Sequence, residues 1–598
     1  MNALNDIPAR LDASPGWIDR SFSGRHWRLQ NGGFADLTNE LVRSLGLSSF
    51  LCGLLAARGV RAADAGNFLN PTLRQLLPEP LLLADMHRAV DRVRAAIERG
   101  EQIAVFGDYD VDGSCSAALL CEFLTAIGHP PRLYTPDRMT EGYGPNAAAL
   151  LMLKAEGASL VITVDCGATA SAPLATARDA GLDVIVLDHH ATEAAVPAFA
   201  HVNPNQPGDQ SGLGHLCAAG VTFLFAVALN RALRESGWYG ANDLSEPDLR
   251  EHLDLVALAT VCDVVPIIGV NRAFVRVGLR RLCALERPGF AALAAVASAS
   301  PPFTPHHLSF VFGPRINAGG RIGRCSLGTE LLTAKAGVDE LADALNRHNR
   351  ERRAIETTIL EEATAIASLQ SDSPILIVEG DGWHSGVVGI IAGRLRERFN
   401  KPAIAIGFEG RLGRGSARSV PGFDIGAVVR SAREAAILDS GGGHAMAAGL
   451  SLMRDRLPAF REFVTLHGAA AARSSAAANE LTIDTLVSAA ACTRELIAEM
   501  EQLGPFGPGN PEPIVAISDA RIAYADIVGK DHVRLGLTGA EGARVDAIAF
   551  RAGSAPLGHG LLASRGKPVH VAGRLRAEEW EGRIRVQLHV EDAAAASL

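Results

Sequence analysis

The sequence predicts an α/β protein in which a parallel-sheet domain and a second α/β domain are joined by a long helix and followed by a small C-terminal β-barrel. Three observations carry this. Short apolar runs at Ile103–Phe106, Leu160–Val164 and Val184–Leu187 each end directly in aspartate, with helix-like stretches such as Ser116–Ile127 and Pro173–Ala180 between or before them. Continuous β-branched runs in that rhythm belong to parallel sheets buried on both faces. A helical apolar pattern runs from Val338 to Leu369, and after the turn-rich GPFGPGNPEP (504–513) short alternating strands continue to Val590 with little helix. The latter suits a barrel of roughly 80–100 residues.

In chain order, residues 1–98 read as a helical lead-in packed on the catalytic domain. Ala62–Leu69 stops at Asn70-Pro71, and Leu83–Ile97 has helical apolar spacing closed by Gly100. Residues 99–334 form the parallel-sheet domain, and ligands in such sheets bind beyond the carboxyl ends of the strands, where the aspartates fall. Residues 335–371 form the connecting helix. Its apolar stripe (Val338, Leu341, Leu345, Ile355, Ile359, Ile366, Leu369) is interrupted by His348 and Arg352, as expected of a helix crossing open space between two domains. Residues 372–470 repeat the α/β rhythm: strand Ile375–Val378, helix Gly386–Phe399, strand Ala403–Ile406, helix Ile425–Ala435. Residues 468–479 (GAAAARSSAAAN) read as a linker, and 479–598 as the barrel.

Composition narrows the function classes. At 598 residues, roughly 150 per domain gives about four folding units. With 48% hydrophobic and 21% charged residues the chain is neither disordered nor low-complexity. Its net charge of −9 means that any polyanion site is a local basic groove rather than a global field. The nine cysteines are scattered without a CxxC pair, against a zinc ribbon or disulfide framework and in favour of a reducing compartment. No apolar run reaches the roughly 18 residues of a membrane helix, and the N-terminus lacks a signal pattern. A cytoplasmic protein without membrane partners is expected.

The chemistry concentrates in VFGDYDVDGSCSA, which sets Asp108, Asp110 and Asp112 at every second position after a strand. Three such carboxylates repel one another unless cations neutralise them. An EF-hand loop would need Glu where Leu119 stands, and a helix where a strand precedes. TVDCG adds Asp165, VLDHH adds Asp188, His189 and His190, and LDLVALATVCDVVP adds Asp263. Each alone is a turn or cap residue. Together they converge on one sheet edge. Oxygen-rich ligands with one or two nitrogens and no thiolate favour Mn²⁺ or Mg²⁺ over zinc, and two such ions are the usual device for phosphoester hydrolysis, with Asp165 chosen as the bridge between them.

These motifs (DYDVDG, VDCG, LDHH and Asp263) resemble those of the DHH phosphoesterase superfamily. GPRINAGGRIG (313–323), GWHSGVVGIIAGRL (382–395), GSARSVPGFD (415–424) and GGGHAMAAG (441–449) are similar to its associated second domain and connecting motifs. With the C-terminal barrel, read as an OB-fold, the resemblance narrows to the bacterial single-strand-specific 5′→3′ exonucleases of that superfamily and covers about Ala62 to Val590. It implies Asp108, Asp110 and Asp165 around one ion, and Asp112, Asp165, His189 and Asp263 around the other. His190 then points at substrate phosphate or orients His189. The pattern departs at Cys115, where Thr is usual, and at Arg324-Cys325; Cys166 beside Asp165 reads as packing.

For the strand itself, Arg315, Asn317 and Arg321 lie in or beside an AGG turn, Ser416 and Arg418 in a glycine-bounded strand, and Gly441, Gly442, Gly443 and His444 in a further donor-rich segment. Arginine forks and glycine-rich turns bind phosphate. His384 either joins them or caps the helix that follows. In the barrel, Tyr524, Phe550 and Trp580 with His532, Arg534, Arg574, Arg583 and Arg585 offer rings and charge for stacking; Phe550 is expected in the core and Trp580 exposed. The resemblance implies release of 5′-mononucleotides from single-stranded DNA in repair and recombination, with single-strand-binding protein and a helicase as partners. The rivals are a small-substrate phosphoesterase acting on short oligonucleotides or cyclic dinucleotides, and a non-catalytic DNA-binding scaffold.

Overall fold

The structure, a computed structural model, describes residues 17–30, 33–138, 140–192, 194–370, 372–477, 480–580 and 583–596, without side chains at 469–477, 578–580 and 583–584. Two compact units result. Pro71–Ala472 with Gly507–Asn510 form one, and the other described residues form the second.

The first unit is built on a five-stranded parallel sheet: β1 (Ile103–Gly107), β2 (Arg132–Tyr134), β3 (Leu160–Val164), β4 (Asp183–Leu187) and β5 (Ala200–Val202), in the order β2-β1-β3-β4-β5. Every residue of β1 and β3 is buried, because helices cover both faces. On one side Met86–Glu98, α1 (Val111–Ala126), Ala218–Glu235 and α2 (Leu253–Cys262) meet Ile103, Val105, Leu160 and Ile162. On the other, Ala147–Ala155 and Ser171–Asp179 meet Ala104, Phe106, Val161 and Val184. Each large side chain so buried contributes about 1.5–3 kcal/mol. The fourth apolar stretch of the sequence is not a strand but α2, and its final turn presents Asp263. The segment expected as an AGG turn is also helical, α3 (Gly313–Ile322).

α4 (Val338–Ser368) is the connecting helix, about 46 Å long at 1.5 Å per residue. Ala342 and Leu345 join the core of the parallel-sheet domain, while Ile359, Ala363 and Ala367 join that of the next domain. The polar interruption between them does not cross open space: Asn346, Asn349 and Arg352 are buried. Arg352 donates to the Asn349 side-chain oxygen and to Glu356. The next domain carries β6 (Leu376–Asp381), α5 (Ser385–Phe399), β7 (Ala403–Glu409), β8 (Leu412–Arg418), β9 (Ser440–His444) and β10 (Ala447–Met453). Its sheet runs β9-β10-β8-β7-β6, parallel only between β6 and β7.

The stretch expected as a linker continues the helix Leu457–Ala477; residues 478 and 479 lie outside the described ones. Alanine, the best helix former, explains the difference. In the second unit β11 (Thr485–Leu486) leads into β12 (Val515–Val528), β13 (His532–Thr538), β14 (Arg544–Ala549), β15 (Pro568–Trp580) and β16 (Arg583–Ala595), and pairing of β12 with β15 closes a five-stranded barrel. Leu41, Leu51, Leu54 and Leu55 share one core with Ile517, Leu535 and Val571 of the barrel. The strand His26–Leu29 pairs with Glu480–Ile483. The lead-in is therefore divided. Its described residues up to Asn70 pack with the barrel, and those from Pro71 to Glu98 pack with the parallel-sheet domain.

Candidate metal centre

The carboxyl ends of β1, β3 and β4 deliver the acidic residues. Asp110 is the N-cap of α1 and accepts from the Gly113 N–H at 3.0 Å. A Cβ on Gly113 would stand 2.5 Å from the Asp108 carbonyl oxygen, so the tight D-x-D-x-D-G turn requires glycine there. Asp112, in the first turn of α1, accepts from the N–H groups of Ala218 (2.7 Å) and Ala219 (2.8 Å) at the start of the helix Ala218–Glu235. Asn317 on α3 accepts the Val111 N–H at 3.2 Å, which ties that helix to the acidic loop. Asp165 follows β3 with φ 62°, a left-handed conformation that costs a non-glycine residue energy and gathers at functional sites. Asp188 follows β4 and accepts from the backbone of Ala168, His189 and His190.

Three groups of potential ligand atoms lie within 4.8 Å of one another: Asp108, Asp110 and Asp165; Asp112, His189 and Asp263; and Asp165, Asp188, His189 and His190. His189 Nε2 stands 3.8 Å from Asp112, 3.5 Å from Asp165 and 3.6 Å from Asp263, buried yet without a hydrogen-bond partner. Asp108 Oδ1 is orphaned in the same way. Burial and the charge of its neighbour His190 lower the His189 pKa to about 4, so the imidazole is neutral and its lone pair is available.

Burial, then mutual repulsion, raises the carboxylates: Asp112 to about 7, Asp263 to about 8, and Asp108 and Asp165 well above the carboxylate range. Such a cluster stays protonated unless cations replace the protons. Oxygen donors in this number with a single bare imidazole nitrogen fit two Mn²⁺ or Mg²⁺ ions.

His190 behaves differently from its neighbour. Burial opposes its charge, but a 2.7 Å hydrogen bond to Asp188 outweighs it and raises the pKa to about 9. Asp188 is also buried, and the His190 hydrogen bond and charge hold it down at about 2. His190 is thus a protonated imidazole oriented by Asp188, with no hydrogen bond to His189. Asp188 appeared in the sequence only as another strand-end acid; its pairing with His190, two residues on, was the signal available. Tyr143 was missed entirely. It lies between Gly142 and Gly144, both at positive φ, and its hydroxyl donates to the Asp165 carbonyl at 3.1 Å and stands 3.4 Å from His190 Nδ1.

The basic residues divide into two neighbourhoods. Arg321 Nη1 donates to the Gly386 carbonyl at 3.0 Å. Burial, then the charges of Arg138 and Arg352, lower its pKa to about 10, with Asp110 and Arg418 also near. Arg418 donates to Ser416 Oγ at 2.9 Å, and both border Gly389, one turn along α5 from Gly386. Arg321, Ser416 and Arg418 therefore meet at the first turns of α5, an arrangement that binds anions. His384 caps that helix, its Nδ1 accepting from Gly386 N–H at 3.1 Å. Gly442, Gly443 and His444 lie on the edge strand β9, with open space above Gly442. Arg315 is not brought to this group; it donates to Asn346 and the Val311 carbonyl. In the barrel Phe550 is 50% exposed rather than in the core, edge-on to His532 and His589. The Trp580 side chain lies outside the described residues.

A sheet edge of carboxylates and one bare imidazole, set beside an arginine cluster where α3 meets a second α/β domain, defines the class as a DHH-type phosphoesterase. The models of the DHH family N-terminal domain, the DHHA1 domain and the RecJ OB domain match residues 102–260, 372–466 and 483–592. Single-stranded-DNA-specific exonuclease RecJ of Dickeya dadantii is 35% identical over 91% of this chain and 96% of its own, and that of Bacillus subtilis 32% over 96% and 71%. The crystal structure of RecJ from Thermus thermophilus in complex with Mn²⁺ superposes with a TM-score of 0.80 at 27% identity, covering 96% of this chain and 80% of that one. The same protein in complex with Mg²⁺ gives 0.74 at 26%, covering 96% and 79%. The chain belongs to the RecJ family of single-stranded-DNA-specific exonucleases.

Proposed function

We propose that the chain is a Mn²⁺- or Mg²⁺-dependent exonuclease that degrades single-stranded DNA from the 5′ end to 5′-mononucleotides. The observation that carries this is the pair of ligand groups around Asp165 and the bare His189 nitrogen, which faces three carboxylates. In this reading Asp108, Asp110 and Asp165 hold one ion, and Asp112, Asp165, His189 and Asp263 the other. When bound, the two ions supply an activated water and offset charge growing on the phosphate oxygens.

The chain's own groups do the rest. Asp188 keeps His190 protonated and aimed, so that its N–H can donate to a phosphate oxygen or to the departing 3′-oxygen. Arg321, Ser416 and Arg418, with the open backbone of Gly442, grip the terminal phosphates; Gly443 is closed in by Ala447 and Ala448. The barrel, with Tyr524 and Phe550 partly exposed, grips the strand by stacking. That additional domain favours a polymer over a dinucleotide. The gathering of Asp108, Asp110 and Asp165 and of Asp112, His189 and Asp263 into groups that could hold metal ions supports catalysis over a non-catalytic scaffold. Among the described residues no helix is long and apolar enough to cross a membrane. A cytoplasmic setting in DNA repair and recombination, with single-strand-binding protein and a helicase as partners, accords with this reading.

The test is one single strand labelled at either end, with and without Mn²⁺. Metal-dependent release of 5′-labelled mononucleotide as the first product is expected. First release from the 3′ end would overturn the polarity, and cleavage confined to di- or trinucleotides would favour the small-substrate reading. Binding without cleavage would favour the scaffold.

A further inference from the structure

A second face of the parallel-sheet domain combines aromatic and cationic groups that the metal centre does not use. The segment Leu308–Phe312 is π-helical, an irregularity that is found often at functional sites. Its Leu308 carbonyl accepts from Cys262 Sγ at 3.3 Å, directly beside Asp263. Phe310 is 65% exposed, and His306 lies over it at 4.8 Å with the rings 32° apart. Five residues on, Arg315 reaches back to the Val311 carbonyl and across to Asn346 on α4. Burial, then the charges of Arg353 and Arg350, lower the Arg315 pKa, which sets those two guanidiniums in its neighbourhood. Arg347, Arg350 and Arg353 are exposed, succeed one another every third residue along α4, and make no ion pair among the described residues. That spacing is about 4.5 Å per step along the helix axis. In a chain of net charge −9 the cluster is a local positive field beside an exposed ring pair. Rings interleaved with arginines are what sequence-independent single-strand binding uses.

We propose that His306, Phe310, Arg347, Arg350 and Arg353 form an accessory surface for single-stranded DNA, with a base stacked on Phe310 and the arginines holding adjacent phosphates. The inference rests on the single-strand substrate proposed above and adds a second place of contact, starting beside Asp263 and running along α4.

The test uses the full chain carrying Phe310→Ala, or Arg350→Gln with Arg353→Gln. Three quantities are read: the affinity for a long labelled oligo-dT in EDTA across a salt series, the binding of polyglutamate, and Mn²⁺-dependent hydrolysis of a trinucleotide. The double variant is expected to bind oligo-dT about tenfold more weakly at low salt, with a log–log salt slope smaller by about 1.4 for two lost phosphate contacts. Phe310→Ala is expected to weaken binding about five- to tenfold with the slope unchanged. Trinucleotide hydrolysis by both variants is expected to match the parent, so the metal centre is judged by that rate, the exonuclease reading by the end-labelled strand, and this surface by the affinity. Unchanged oligo-dT affinity and slope in both variants would overturn the proposal. So would loss of polyglutamate binding with oligo-dT binding intact, which would assign the arginines to an acidic protein.

Discussion

The metal centre and the arginine cluster at the start of α5 are mirror images of one electrostatic problem. In the first, buried carboxylates drive one another's pKa upward, to about 7 at Asp112 and about 8 at Asp263. In the second, half-buried guanidiniums are pushed the other way: burial and its cationic neighbours bring Arg321 to about 10, and burial, then Arg396, lowers Arg418. Each is a set of like charges that folding brings together at a cost and that only an opposite charge relieves. In the proposed reading divalent cations answer one and phosphate the other, and a phosphodiester bound with two metal ions answers both. The lesson is that, apart from the Asp188–His190 pair, the two clusters are organised by the opposite charge they lack rather than by internal ion pairing.

The sharpest way to break this comparison is Asp165→Ala. Asp165 belongs to the group around Asp108 and lies 3.5 Å from His189, so its loss is expected to abolish hydrolysis and the Mn²⁺-induced rise in Tm while leaving the far-ultraviolet circular dichroism unchanged. Turnover retained in this variant would remove Asp165 from its shared position. Metal removal probes the same cluster without mutation. In a chelator, the folded protein keeps protons on Asp112, Asp263 and His190 that the unfolded chain has released or is releasing above pH 6.5. Stability is therefore lost as pH rises from 6.5 towards about 9. His189, held at about 4, acts oppositely only below 6.5. Scanning calorimetry in EDTA should show Tm falling across that window, and the shift produced by Mn²⁺ growing as the ligands shed protons. A flat EDTA profile would mean that the carboxylates are not the strained cluster described.

Much of this was legible in the sequence because strand-end aspartates are a short-range pattern: Asp165 and Asp188 each follow an apolar run directly, and Asp108 follows one after Gly107. Asp263 was found for the wrong reason. LDLVALATVCD is apolar on all sides because α2 is buried all round, and a buried helix and a buried strand have the same composition. GPRINAGGRIG was read as a turn from its glycines, yet two of them are there for close packing: a Cβ on Gly320 would meet Tyr109 at 2.9 Å, and one on Gly319 would meet Leu345 at 3.2 Å. Tyr143 and the shared core of the lead-in with the barrel depend on contacts between segments far apart in sequence. No local pattern announces those. The shared core also means that removing 479–598 alone would expose Leu51, Leu54 and Leu55.

On the positive side of the comparison, Arg418→Gln removes one fork of the anion site. A hydrogen bond from a charged donor is worth about 1.5–3 kcal/mol, so KM for a 5′-phosphorylated strand is expected to rise about ten- to a hundredfold, with a smaller change in kcat. Arg418→Lys should recover only part, since an ammonium replaces a bidentate fork with a point charge. An unchanged KM would place the phosphate elsewhere.

The smallest effect expected is that of Tyr143→Phe, on the negative side of the comparison. The hydroxyl touches the Asp165 carbonyl and stands within 3.5 Å of both His190 ring nitrogens, while the ring is 53% exposed. Losing one neutral hydrogen bond costs about 0.5–1.5 kcal/mol. If Tyr143 steadies Asp165 and His190 for the chemical step, kcat falls about two- to tenfold with KM unchanged. If the exposed ring also meets the substrate base, Tyr143→Ala raises KM while Tyr143→Phe does not. Equal kinetics for Tyr143→Phe and the parent would leave the orientation of His190 to Asp188 alone, and Asp188→Asn would then lower kcat as far as removal of His190 does.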